Sequence, residues 1–184
     1  EKNALFAGKF LKESVRDIIV VLMQKRNKFF FLNISIVIAI FLIDRASKLY
    51  VINLFEDLNS QQIFLTSFLN LYLIWNEGIA FGLLSFDNNE IYNFITFLII
   101  LINLTIIYIL FKVKDFRRYF FLIILGGSLG NLFDRLIYNA VPDFIDFHLG
   151  HFHWFIFNPA DIFISLGIIC LILDEIFFKN RSND

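Results

Sequence analysis

Four apolar stretches, at residues 29–52, 91–111, 119–138 and 159–178, set the terms for any fold this chain can adopt. A bilayer's hydrocarbon core, ~30 Å thick, takes about 20 residues of helix to cross. Lipid offers no partner to an open strand edge, so such stretches are expected as helices. Of the 184 residues, 58% are hydrophobic and 18% charged, and the mean hydropathy is +0.70. A soluble domain of this length has no core large enough to hide that much apolar surface. The expected fold class is therefore an α-helical integral membrane protein with four transmembrane helices.

Basic residues orient the spans. Lys2, Lys9, Lys12, Arg16, Lys25, Arg26 and Lys28 precede the first stretch, and Lys112, Lys114, Arg117 and Arg118 lie between the second and third. Lys179 and Arg181 follow the fourth, whereas residues 53–90 and 139–158 contain no Lys or Arg. This alternation predicts cytoplasmic termini and two outward segments on one side. Residues 1–28 read as a cytoplasmic amphipathic extension, because Phe10, Leu11, Val15, Ile18, Ile19 and Leu22 recur near helical period. That pattern suits a helix lying on an anionic membrane face and equally an ordinary surface helix. Residues 29–178 form the membrane domain, including the outer segment 53–90, and 179–184 a cytoplasmic tail. The first apolar run ends in Asp44-Arg45 with no small-residue cleavage site, so it is not expected to be a removable leader.

The net charge of −1 provides no basic field to recruit nucleic acid. Cys170 is the single cysteine, and no Cys/His spacing suggests a zinc site. In segment 53–90, Asn59-Ser60-Gln61-Gln62 interrupts any helix. Phe68 to Trp75 then has strand character and ends in the turn Asn76-Glu77-Gly78. A small sheet of two or three strands is expected there, and the segment 139–158 is read as a loop.

Polar residues within or beside the spans are costly, about +2.5–3.5 kcal/mol for a charge at mid-bilayer. Each needs a partner or a wet cavity. Asp44 and Lys48 are four apart and can pair on one helix face, as a self-neutralised support or as part of a site. Gly126 and Gly130 make a small-xxx-small pair for close helix packing, with Asn131, Asp134 and Arg135 following. Asp134 can neutralise Arg135, or Arg135 can reach an acidic group elsewhere. Asp143 lies among apolar residues without a basic neighbour, whereas Asp146 reads as a loop carboxylate pointing into water. His148, His151 and His153 read as interfacial loop histidines, lacking a convergent ligand pattern. Asn158-Pro159-Ala160-Asp161 opens the fourth helix, with Asn158 at N-cap, Pro159 at N1 and Asp161 at N3. Asp161 is then a capping residue, or it is held ionised by the helix dipole while the more desolvated Asp143 keeps a proton. Two carboxyls sharing one proton are what peptide hydrolysis by water requires, and such a pair titrates as a unit.

Five boxes in this order resemble the lipoprotein signal peptidase (signal peptidase II) family over residues 29–178. They are Asp44, Ser47 and Lys48; Asn76, Gly78, Ala80 and Phe81; Gly126 through Arg135; Asp143-Phe144; and Phe157-Asn158 with Ala160-Asp161. Pro142 and Pro159 depart from the usual pattern without removing a reacting group. The resemblance implies a membrane aspartic endopeptidase needing no metal or cofactor, with Asp143 and Asp161 catalytic. It also implies substrate contacts from Asn76, Gly78, Asn131, Arg135 and Asn158; Asp44, Lys48, Asp134, Gly126 and Gly130 are read from their own spacing as support. The implied partners are diacylglyceryl-modified prolipoproteins, membrane lipid and cyclic-peptide inhibitors of the globomycin type. A small extracytoplasmic β-cradle near residues 62–84 and a bacterial cytoplasmic-membrane location are implied as well. Two other readings compete: a proton or ion transporter, which needs polar groups through the whole membrane depth, and an assembly protein with paired buried charges. Only the peptidase needs Asp143 and Asp161 to meet.

Overall fold

The computed structural model describes residues 2–60, 62–78, 89–150 and 152–178. Its elements in chain order are α1 (Lys2–Leu58), β1 (Gln62–Phe64), β2 (Leu69–Asn76), α2 (Asn89–Lys112), α3 (Arg117–Tyr138), β3 (Val141–Leu149), β4 (Phe152–Phe157) and α4 (Pro159–Phe178). Two compact units divide the chain, Glu1–Ser35 and Ile36–Asp184. The first is helical from Lys2, so residues 9–26 take the helical form their periodicity predicts. Near its end Ser35 Oγ donates to the Phe31 carbonyl at 2.9 Å. The second unit holds the rest of α1 and every other element.

Helices α2, α3 and α4 fall closely where the apolar stretches predict. Helix α1 runs past residue 52 to Leu58 and stops at Asn59, whose φ of 45° is left-handed. Phe30–Leu58, Tyr92–Lys112 and Arg117–Tyr138 are long and apolar enough to cross a membrane. Helix α4 has 20 residues, ~30 Å at 1.5 Å per residue. Its carboxylates, Asp161, Asp174 and Glu175, lie toward its two ends.

Burial is inverted relative to a soluble protein. Phe111, Tyr108, Leu104 and Phe94 are exposed, while Asp44, Lys48, Asp134 and Asn158 are each 0% exposed. Lipid makes this arrangement favourable: apolar side chains lose nothing facing acyl chains, whereas unpaired polar groups there are costly. The chain is thus a helical integral membrane protein.

Helix α3 is central to the second unit. A Cβ on Gly126 would come 2.8 Å from Ile40 Cβ, and one on Gly130 would collide with the Asp44 carboxylate. The expected small-xxx-small face therefore packs against α1. Gly127 serves α4 in the same way, since its Cβ would come 2.6 Å from the Ala160 carbonyl.

The sheet is antiparallel, in the order β1-β2-β3-β4. Of the two or three strands expected from the first polar segment, β1 and β2 are present among the described residues. The second segment is not a loop: it contributes β3 and β4, which pair with Ile145 opposite Phe157. Strand β2 pairs with β3, placing Asn70 opposite Asp146, Ile74 opposite Asp143 and Asn76 opposite Val141. An irregularity between Leu71 and Ile74 shifts this register, the kind of local kink that re-aims side chains. Val51, Phe55 and Phe144 form the apolar cluster that seats the sheet on α1.

Candidate active site

The cap at the start of α4 forms as its sequence predicts. Asn158 Oδ1 accepts the Asp161 backbone N–H at 3.2 Å, and Asp161 Oδ2 accepts the Asn158 backbone N–H at 3.2 Å. This reciprocal box satisfies two donors that a helix start otherwise leaves open. It also holds the Asp161 carboxylate rigidly. Asn131 Nδ2, from α3, donates to the remaining oxygen, Oδ1, at 2.9 Å.

Asp143 lies on β3, where α3 has turned back through the left-handed Asn139 (φ 55°). Two amides grip it. Asn76 Nδ2 donates to Oδ2 at 2.8 Å, and Asn158 Nδ2 donates to Oδ1 at 2.5 Å. Asp143 is 1% exposed. Burial, reinforced by the nearby Asp161 charge, pushes its carboxyl up to about 7 against the opposing pull of the two amides.

Both carboxyls line one cavity of about 320 Å³, together with Asn76, Asn131, Arg135 and Asn158. Its remaining wall is partly aliphatic, from Ile99, Val141, Ile164 and Ile168. A second hollow of about 260 Å³, lined by Phe157, Ile162, Leu166 and Ile169, shares Asp161 and Ser165 with the first.

Gly78 is outside the cavity lining but braces it. Its N–H donates to Asn76 Oδ1 at 2.8 Å, an Asx turn that orients the Asn76 amide. Its carbonyl accepts from Arg135 Nη2. Among the described residues, the buried Nη1 of Arg135 has no hydrogen-bond partner. The remainder of that glycine box, from Ile79 to Gly82, lies outside the described residues.

Asp44 and Lys48 pair at 2.8 Å as their spacing predicts. The pairing extends further. Lys48 Nζ also donates to Asp134 Oδ2 at 2.7 Å and to Asn131 Oδ1 at 2.8 Å. Asp44 Oδ1 accepts the Ala160 N–H at 3.0 Å. Asp134 does not neutralise Arg135; Arg45 and Lys48 hold it instead. Consecutive residues on a helix diverge by about 100°, so Asp134 faces α1 while Arg135 faces the cavity.

Two residues outside the cavity lining have contacts that the sequence does not signal. Arg45, adjacent to the pattern residue Asp44, carries the second cation of this cluster. Tyr92 on α2 donates its hydroxyl to the Arg135 carbonyl at 3.0 Å, with its ring 5.4 Å from the guanidinium. A tyrosine in an apolar span gives no signal for that role. Asp146 requires a correction: it is 1% exposed, not a water-facing loop carboxylate, and contacts His153 Nδ1 at 2.9 Å. The sheet that covers it was not foreseen. No group of three His, Cys, Asp or Glu among the described residues is placed to hold a metal.

A membrane-spanning helical scaffold with buried polar side chains gathered at a cavity, where a small sheet meets α3 and α4, has the layout of a membrane enzyme. Comparison with known proteins agrees. Two solved structures, both described as bacterial membrane enzymes, superpose with TM-scores of 0.65 and 0.61 at 27% and 28% identity. They cover 83% and 80% of this chain, and 90% and 94% of their own. Residues 36–177 match the signal peptidase (SPase) II family. The lipoprotein signal peptidase of Pelagibacter ubique (strain HTCC1062) is 53% identical over 163 residues, spanning 88% of this chain and 98% of the relative. That of Francisella tularensis subsp. novicida (strain U112) is 37% identical over 166 residues, spanning 88% and 99%. The chain belongs to the signal peptidase II family and is a protease of that type.

Proposed function

We propose that the protein removes the signal peptide from diacylglyceryl-modified prolipoproteins, cutting just before the lipidated cysteine, with Asp143 and Asp161 as an acid–base pair. The observation carrying this reading is that two carboxyls, from β3 and α4, line one cavity, each oxygen held by an N–H donor. Asp161 accepts N–H donors at both oxygens, which suits a carboxylate that takes a proton from the attacking water. Asp143, with its carboxyl near 7, suits the partner that lends a proton to the scissile carbonyl oxygen. The water's oxygen bonds to the carbonyl carbon, and collapse of the tetrahedral species expels the amine with a returned proton. Arg135 Nη1, a buried donor beside the cavity with no partner among the described residues, is suited to a substrate carbonyl. The amides of Asn76, Asn131 and Asn158 keep the carboxyls oriented and line the substrate's path.

The lipid anchor of such a substrate favours a site inside the membrane. Extracting acyl chains costs ~0.8 kcal/mol per CH₂, whereas the apolar hollow on α4 that shares Asp161 with the cavity is suited to an acyl chain that stays in lipid. The Lys/Arg pattern supports cytoplasmic termini in the bacterial inner membrane, with the site and sheet at its outer face. A cyclic peptide of the globomycin type would occupy the same cavity.

The test is incubation of purified protein with a diacylglyceryl-modified preprolipoprotein, with and without that inhibitor. Asp143→Asn and Asp161→Asn should each abolish cleavage while leaving membrane insertion intact. Full activity in either variant would end the dyad reading.

A further inference from the structure

We propose that Lys48 is a positioning residue for the reaction: it fixes the Asn131 amide so that its NH₂ group faces Asp161. The inference rests on the dyad reading above and adds to it a part for α1. Lys48 is fully buried, and its ammonium has three N–H donors and no acceptor. All three are in use, on Asp44 Oδ2, Asn131 Oδ1 and Asp134 Oδ2. The Asn131 atom that faces Lys48 must therefore be the oxygen, and the nitrogen is left 2.9 Å from Asp161 Oδ1.

The other two amides need no such help. Asn76 Oδ1 is fixed by the Gly78 N–H, and Asn158 Oδ1 by the Asp161 N–H. Both donors are local and come from backbone outside a helix interior. Asn131 sits within α3, where backbone N–H groups are consumed by the helix itself. A side-chain donor has to come from elsewhere, and Lys48 supplies it from 83 positions away in sequence. Charge balance does not require this contact. Asp44 and Asp134 already offset Lys48 and Arg45, so the third N–H is directed at a neutral amide. Without the ammonium, the amide is free to turn its oxygen toward Asp161, setting two acceptors against each other.

Helix α1 also reaches the neighbouring backbone, through Asp44 Oδ1 and the Ala160 N–H. Asp161 is thus steadied by α1 twice, once at its side chain and once at the preceding peptide.

The test is a double-mutant cycle on the full chain in detergent, with prolipoprotein cleavage as the assay. Lys48→Met and Asn131→Ala should each lower kcat about 10- to 100-fold, with KM within about threefold. The double variant should be no slower than Asn131→Ala, because both changes break one route. Arg45→Met removes a charge from the same cluster without touching Asn131. It should lower the melting temperature and keep kcat. If Lys48→Met fails to fold, Asp44→Asn/Lys48→Met removes one charge of each sign and should show the same kcat loss. If that also fails to fold, Asn131→Leu, which leaves every charge in place, decides by the same loss. Parental kcat in the folded Lys48 or Asn131 variants, multiplicative losses in the double variant, or an equal loss in Arg45→Met would overturn the proposal. An inactive parental protein would instead overturn the peptidase reading beneath it.

Discussion

Asn158 and Asp161 each donate a backbone N–H to the other's side chain, both at 3.2 Å. The same Asn158 amide then reaches Asp143 at 2.5 Å. One residue therefore caps α4 and ties the two carboxyls together, and its two roles can be separated.

Serine caps a helix about as well as asparagine but is too short to reach Asp143. Asn158→Ser should keep thermal stability within about 0.5 kcal/mol of the parent, while Asn158→Ala should lose ~1 kcal/mol. Both should lose cleavage activity to a similar extent, about tenfold or more. Thermal unfolding in detergent alongside the cleavage assay checks this. Parental activity in Asn158→Ser would remove the Asn158–Asp143 bond from the mechanism.

The pH profile follows from Asp143. Its folded-state carboxyl lies at about 7, above the ordinary 3.8. A protonated Asp143 is the acid of the proposed pair, so kcat should fall as pH rises through about 7. The same shift links to stability. The folded state favours the proton, so this contribution is fully present below the ordinary value and is lost as pH rises through about 7. The parental protein should lose melting temperature between pH 5 and pH 8 by a few degrees more than Asp143→Asn does. Equal slopes in the two proteins would contradict the raised value.

Gly127 and Gly150 predict opposite behaviour in activity. A Cβ on Gly127 would press on the Ala160 carbonyl at 2.6 Å, a backbone atom that cannot swing aside. Gly127→Ala should cost about 1–3 kcal/mol and reduce cleavage, because it pushes Asp161 away from α3. Among the described residues nothing lies within 4 Å of a Cβ on Gly150, whose φ is +61°. Gly150→Ala should cost ~1 kcal/mol of backbone strain and leave cleavage unchanged. Thermal shifts and initial rates on the two variants distinguish these cases.

Buried and exposed ion pairs should differ sharply. Asp134 is fully buried and holds both Arg45 and Lys48. Asp134→Leu strands Arg45 in the bundle, leaves Lys48 to Asp44, and should cost about 3–5 kcal/mol, or prevent folding. The Arg117–Asp115 pair, at 2.7 Å with side chains 45% and 51% exposed, should contribute less than ~1 kcal/mol. Expression level and melting temperature of Asp134→Leu and Arg117→Ala check the contrast.

The positions of the helices were legible because lipid is a uniform solvent. Any stretch that crosses it must be apolar and about 20 residues long, whatever its neighbours. The α4 cap and the Asp44–Lys48 pair were legible because they obey spacing rules three and four residues apart. What the tertiary structure alone decided involves partners far apart in sequence. Strands β3 and β4 read as a loop, because a strand's stability lies in the pairing that only folding brings. Asp146 looks water-facing in sequence for the same reason, since the sheet that buries it forms only when distant strands pair. Asp134 went to Arg45 and Lys48 rather than to its neighbour Arg135, because successive helix positions point different ways. Local rules name which residues carry charge or amide groups; the packing of α1 against α3 determines which atoms those groups meet.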